Sequence, residues 1–178
     1  MVELVKGEHF EKLEFADQQA LLKEDDDYKA SEKYQKDRAF YLQRYADHSD
    51  TVNLAGKPTV TSDHFLRLKG AMAASDFQRM ESLAKQCRTH WYSVLIASIA
   101  AYVHRMTRSN EVVIGVPLMG RLGSVAIQTP AMRVNILPVR VSFESGLDIK
   151  TLVKQVNQEF ASVRRHQKAI AMKSFIAS

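Results

Sequence analysis

The side chains best placed to do chemistry in this sequence are six histidines, a lone cysteine, a run of four acids and a few polar residues inside apolar segments. The histidines stand at 9, 48, 64, 90, 104 and 166. No two are adjacent, and none has the His-x-x-x-His spacing that puts two imidazoles on one helical face for a metal. Cys87, alone, excludes an internal disulfide and any multi-thiol metal site. With Phe77, Met80, Leu83 and Ala84 it falls at helical spacing, which reads as a small core hydrophobe; a reactive thiol would need exposure and a lowered pKa. Glu24-Asp25-Asp26-Asp27 lacks the spaced acids, Gly and closing Glu of an EF-hand loop, and reads as acids complementing the dipole at a helix start. Gly115, Gly120 and Gly123 follow an apolar strand, but without Gly-Lys-Ser/Thr or Gly-x-Gly they make no phosphate loop. No serine sits in a Gly-x-Ser-x-Gly elbow. Two residues stay in view: Asn135, an amide among aliphatics that is costly unless paired, and Arg121, at the exit of the preceding strand.

Elements must position these residues. Ala16 to Asp47 is free of Gly and Pro and rich in helix formers, which predicts helices near 16–23 and 26–46 with the acids between them. The second presents Tyr34, Phe40, Tyr41, Leu42 and Tyr45 to a sheet. Gly56-Lys57-Pro58 marks a loop, and the alternation from His64 to Lys69 predicts a half-exposed strand. Ser75 with Gln78 reads as a capping box opening a helix. His90 to Arg108 is apolar on nearly every side, which predicts a buried helix with cations at its end. Strands at 111–117 and 133–143 bracket an irregular crossing. Asp148 is the expected N-cap of a last helix with a stripe of Ile149, Leu152, Val153, Val156, Phe160 and Val163. This order is mixed α/β layering, not strict βαβ alternation.

A chain of 178 residues, 46% hydrophobic and 25% charged, is sized for one globular domain. The longest apolar stretch, Val94 to Val103, is about half of what a membrane span needs. Met1 to Glu14 lacks the apolar centre of a signal peptide, and with a single cysteine the default setting is reducing and cytoplasmic. Residues 1–50 hold 13 acids and 8 bases, a net of −5, while residues 51–178 hold 7 acids and 17 bases, a net of +10. The bases form no continuous helical stripe, so the charge suits an acidic protein partner better than nucleic acid.

Several strings carry a family resemblance. Glu111-Val-Val-Ile-Gly115-Val-Pro117-Leu-Met-Gly120-Arg121, followed by Met132-Arg-Val-Asn135-Ile-Leu-Pro138-Val-Arg140-Val141, resembles the fifth motif region of condensation domains from nonribosomal peptide synthetases. Tyr34-Gln-Lys-Asp37-Arg38-Ala-Phe40-Tyr41-Leu is similar to that family's Asp-Arg-x-Phe/Tyr-Trp helix, and Arg165-His166-Gln167 to the His-Gln of its sixth motif. The helix 90–108 running into Ser109-Asn110-Glu111 fits the same pattern. Gly120-Arg121-Leu122-Gly123-Ser124 looks most like the variant in siderophore-assembly synthetases of the enterobactin type. Together these strings cover about residues 15–168 in family order. The sequence departs from the family in Arg133-Val134 before Asn135, in Ile136 after it, and in Lys168-Ala-Ile-Ala-Met following Gln167. The family's hallmark, His-His-x-x-x-Asp-Gly, is not encoded here.

The resemblance implies an α/β sandwich: one of two chloramphenicol-acetyltransferase-like lobes flanking a tunnel that phosphopantetheine arms enter. Residues 1–178 would be a single partial domain, the C-terminal lobe, with an acidic helical lead-in over 1–50 and a basic α/β core over 51–178. The implied reaction is amide formation between a carrier-protein-bound acyl or peptidyl donor and an aminoacyl acceptor. The implied partners are a peptidyl or aryl carrier protein, the N-terminal lobe with the paired histidines, and a neighbouring adenylation domain; neither nucleic acid nor membrane is among them. The chain itself would hold no metal, no cofactor and no catalytic residue, and would be inactive alone. Asn135 and Arg121 are the substrate-tunnel candidates; the structural alternatives are that Asn135 satisfies a backbone group and that Arg121 forms an ion pair. The rival functions are a non-catalytic docking module for a carrier protein, or a lobe of an epimerisation domain or another acyltransferase of the superfamily.

Overall fold

The computed structural model describes residues 15, 17–47, 52–56, 64, 66–121 and 123–168. The N-terminal stretch 1–14, Lys57 and Pro58 of the expected loop, Phe65 of the expected strand, Leu122 of the crossing and the departure from family pattern after Lys168 lie outside these residues.

Helix α1 (Gln18–Lys29) opens where the Asp17 side chain accepts the Gln19 N–H at 3.0 Å. Helix α2 (Glu32–Arg44) opens where Ser31 Oγ accepts the Tyr34 N–H. The two caps place the break at Ala30–Ser31, so the acids 24–27 sit inside α1 and not at a helix start as the sequence suggested. Helix α3 (Ala74–Gln86) follows an extended Ala73 and has no side-chain cap. Ser75 is already helical and cannot cap, so the expected capping box does not form. Helix α4 (Trp91–Thr107) ends at Arg108, whose left-handed backbone (φ 58) sends its N–H to His104 O.

Strand β1 (Glu111–Met119), a single 3-10 turn (Val125–Ile127) and strand β2 (Val134–Ser142) form the crossing unit, and helix α5 (Ile149–Arg165) closes the chain. Asp148 is the N-cap of α5, accepting from Lys150 N and Thr151 N; the Thr151 hydroxyl and N–H hold its carboxyl below the ordinary range. β1 and β2 pair antiparallel, with Val112 opposite Val141, Ile114 opposite Val139 and Leu118 opposite Asn135. Period-2 alternation splits this ribbon into two faces. On one, Leu137, Val139 and Val141 are buried against Leu152, Val153, Val156, Phe160 and Val163 of α5, and α4 packs on α5 through Val94, Ala97 and Ala100. A polar pin joins α4 to α5: the Thr89 and Ser93 hydroxyls both donate to Asn157 Oδ1, at 2.6 and 3.2 Å.

The other face of the ribbon carries Val113, Gly115, Pro117 and Met119 opposite Arg140, Pro138, Ile136 and Val134. It needs glycine at 115, because a Cβ there would lie 2.9 Å from Ile136 Cγ2. Two expectations fail beside it. His64 and residues 66–70 form no strand, with Leu66 and Leu68 almost wholly exposed, because no second strand lies alongside them among the described residues. Helix α4 is not buried all round: Ile99, Tyr102 and Met106 are open to solvent, because α3, α5 and β1 cover only part of its circumference.

Candidate functional site

The crossing from β1 to β2 is irregular, so its backbone carbonyls need partners from outside a ladder. Arg121 supplies them. Its guanidinium donates to Ala126 O (2.7 Å), Thr129 O (3.1 Å) and Ala131 O, folding ten residues of loop around one side chain. It clamps carbonyls and pairs with no acid among the described residues, which differs from the expected ion pair and fits the planar fork of arginine.

Helix α1 fastens the same loop from outside. Glu24 accepts from Ser124 Oγ (2.8 Å), from Val125 N (3.0 Å) and from Lys168 Nζ (2.7 Å), and Asp25 pairs with Arg133. The acid run thus has a tertiary role that spacing along the chain could not show. Burial by itself would raise the Glu24 carboxyl, but the bonds from Lys168, Ser124 and Val125 outweigh it and hold the group down to about 2. The folded pKa is below the ordinary 4.5, so this stabilisation is present above pH 4.5 and is lost as pH falls towards 2. Glu24→Gln is therefore expected to be less stable than the wild type at pH 7 and to approach it near pH 2. Thermal melts across that range check this, and a pH-independent difference would contradict it.

Asn135 opens β2 on the helix-covered face, as the alternation implied, and its Nδ2 donates to Gln167 O at 2.9 Å, just beyond α5. The amide borders a cavity of about 290 Å³ lined by Tyr28, Tyr34, Arg133, Gln167 and Lys168 among others. Arg121 lines an adjoining, more open cleft with Met119; Met132, Arg133 and Val134 line both hollows, and neither holds both candidates.

Beside Asn135 lies a hub that the residue spacing did not reveal. Asp37 of α2 is almost completely buried and accepts from Tyr28 Oη (2.8 Å), Lys33 Nζ (3.1 Å) and His166 Nδ1 (2.8 Å), while Phe40 stacks on the His166 ring at 3.9 Å. Burial pushes the carboxyl up, yet the three donors win and keep it below its ordinary range. The Tyr28 hydroxyl, half-buried and donating to Asp37, is raised. The Asp-Arg and His-Gln strings, noted only as separate resemblances, meet here across 129 residues. A polar groove of about 730 Å³ holds two further ion pairs, Arg44 with Glu159 and Arg140 with Glu111, and Arg140 also pairs with Asp47. Among the described residues no His, Cys, Asp or Glu cluster could hold a metal, and no helix is long and apolar enough to cross a membrane.

The condensation domain family model matches residues 2–170, and the chain belongs to that family. It is 42% identical over 165 residues to a dimodular nonribosomal peptide synthase of Bacillus subtilis (strain 168), covering 93% of this chain and 7% of that protein. It superposes on the first condensation domain of the calcium-dependent antibiotic synthetase with a TM-score of 0.84 at 28% identity, covering 93% of this chain and 37% of that one. The enterobactin-type likeness is a more distant one: enterobactin synthase component F of Escherichia coli O157:H7 is 24% identical over 169 residues. The chain therefore spans a small part of the curated synthetases it matches and less than half of the solved domain.

Proposed function

We propose that this chain supplies most of the second lobe of a condensation domain, in which a carrier-protein-bound acyl or peptidyl donor is joined to an aminoacyl acceptor through an amide bond. The observation that carries this reading is the family match over residues 2–170, together with the superposition on a solved condensation domain. The general base or positioning group for an attacking amine must lie within hydrogen-bond reach of it. The paired-histidine motif assigned that role is absent from this sequence, so the reaction needs a lobe that carries it. The remaining partners on this reading are a carrier protein presenting its phosphopantetheine arm and a neighbouring adenylation domain, in the cytoplasm. The Arg121-Leu122-Gly123-Ser124 string supports a synthetase of the siderophore type.

Within that lobe Arg121 acts by shaping the crossing, and Asn135 by fixing the chain after α5 at the edge of its cavity. In an intact domain Asn135→Ala is expected to lower the condensation rate by roughly tenfold, about 1.4 kcal/mol, with the melting temperature little changed. Product measured by mass spectrometry from loaded carrier proteins tests this. Full activity with a melting temperature lowered by several degrees would make Asn135 scaffold alone.

A further inference from the structure

We propose that the groove between the start of α4 and the last turns of α5 binds a phosphate monoester carried on an apolar or aromatic body. The groove has a volume of about 420 Å³ and is lined by the basic side chains His90, Arg164 and Arg165, with no carboxylate on its wall. It is separate from the cavity at Asn135, although Gln167 lines both.

The sequence of α5 builds this wall. Its core stripe, Val153, Val156, Phe160 and Val163, is spent on the sheet and α4. The adjoining stripe, Asn157, Ala161 and Arg164, faces the groove, with Arg165 beside it. Ala161, with its short side chain, leaves room between the larger residues that line the groove with it. Neither guanidinium has a hydrogen-bond or ion-pair partner among the described residues, in contrast to Arg44, Arg121, Arg133 and Arg140, each of which is held by protein oxygens. Two acids of the same region are already engaged: Glu159 pairs with Arg44, and Asp37 accepts from His166, Tyr28 and Lys33. An unneutralised pair of planar guanidiniums selects a dianionic group with several oxygens.

The floor sets the rest of the ligand. Tyr92 packs against Phe160 at 5.2 Å between ring centroids, and the His90 ring stacks on Tyr92 at 5.3 Å and 21°. These rings give an aromatic floor, near parallel from His90 to Tyr92 and tilted by 54° at Phe160, and Asn157 and Gln167 line the same groove as the cations. An apolar or aromatic body rests on this floor while its phosphate reaches the rim.

The test uses the 178-residue chain and three probes: phenyl phosphate, inorganic phosphate and benzoate, titrated calorimetrically at ionic strength matched with sodium chloride. Phenyl phosphate is expected to bind saturably and more tightly than either other probe. The double variant Arg164→Gln/Arg165→Gln, both positions being exposed, is expected to keep the unliganded melting temperature and to weaken phenyl phosphate by about tenfold or more. Tyr92→Leu is expected to reduce the advantage of phenyl phosphate over inorganic phosphate. Unchanged binding in the double variant, equal binding of benzoate, or heats reproduced by sodium chloride alone would overturn the proposal. The site stands whether or not the lobe takes part in amide formation, so its failure would leave that reading untouched.

Discussion

Leu152→Asp is expected to destabilise the chain by about 3–5 kcal/mol, enough to unfold much of the population of an ordinary domain. Leu152 is 4% exposed and lies in the stripe of α5 that covers β2. A carboxylate there would lose water inside a cluster of buried hydrophobic side chains. Ile149 opens the same stripe but is 45% exposed, so Ile149→Asp should cost far less. Urea melts of the two variants check the contrast. Equal midpoints would mean that α5 does not rest on this sheet.

The second large effect concerns Asp37. Asp37→Ala removes one acceptor from three donors and is expected to cost about 2–4 kcal/mol, because charged hydrogen bonds are strong and unpaired partners are expensive. The loss stays below that of a fully buried pair, since the Lys33 ammonium can turn to water; its side chain is 57% exposed. The diagnostic is coupling. If His166 acts through Asp37, then His166→Ala should cost much less in the Asp37→Ala background than in the wild type. Additive losses would show that the two side chains stabilise the chain separately and that the contact between the two motif regions carries nothing.

How far the fold could be read from the sequence depended on the range of the interaction. The last helix was legible because its stripe and its N-cap, Asp148, are local features. β1 and β2 were legible to within two residues, and the alternation placed Asn135 on the face it occupies. The segment from His64 to Lys69 has a strand's pattern but no strand neighbour among the described residues, and periodicity carries no information on partners. Similarly, α4 is apolar on nearly every side, yet what covers a helix is decided by elements distant in sequence. The acids at 24–27 have the composition of a helix start, but the break is set by Ser31, whose hydroxyl accepts the Tyr34 N–H, and a charge run carries no information on where that cap forms.

The candidate site divides along the same line. Asn135 and Arg121 stood out as polar residues in apolar or loop settings, and both do make buried-type bonds to backbone carbonyls. Their partners, Gln167 and the carbonyls at 126, 129 and 131, follow from tertiary folding and from the loop's own path. The Asp37–His166 contact was present only as two family-like strings at opposite ends of the chain. Nothing in either string names the other.

The central claim, that these residues form the second lobe of an amide-forming condensation domain, is tested most directly by exchange. Residues 2–168 replace the matched segment of the Bacillus subtilis dimodular synthase, which is 42% identical, and amide product is measured by mass spectrometry from loaded donor and acceptor carrier proteins. The expected result is product from the exchanged synthase and none from the 178-residue chain alone. Turnover by the chain alone, or a folded and loaded exchanged synthase that forms no amide, would contradict it.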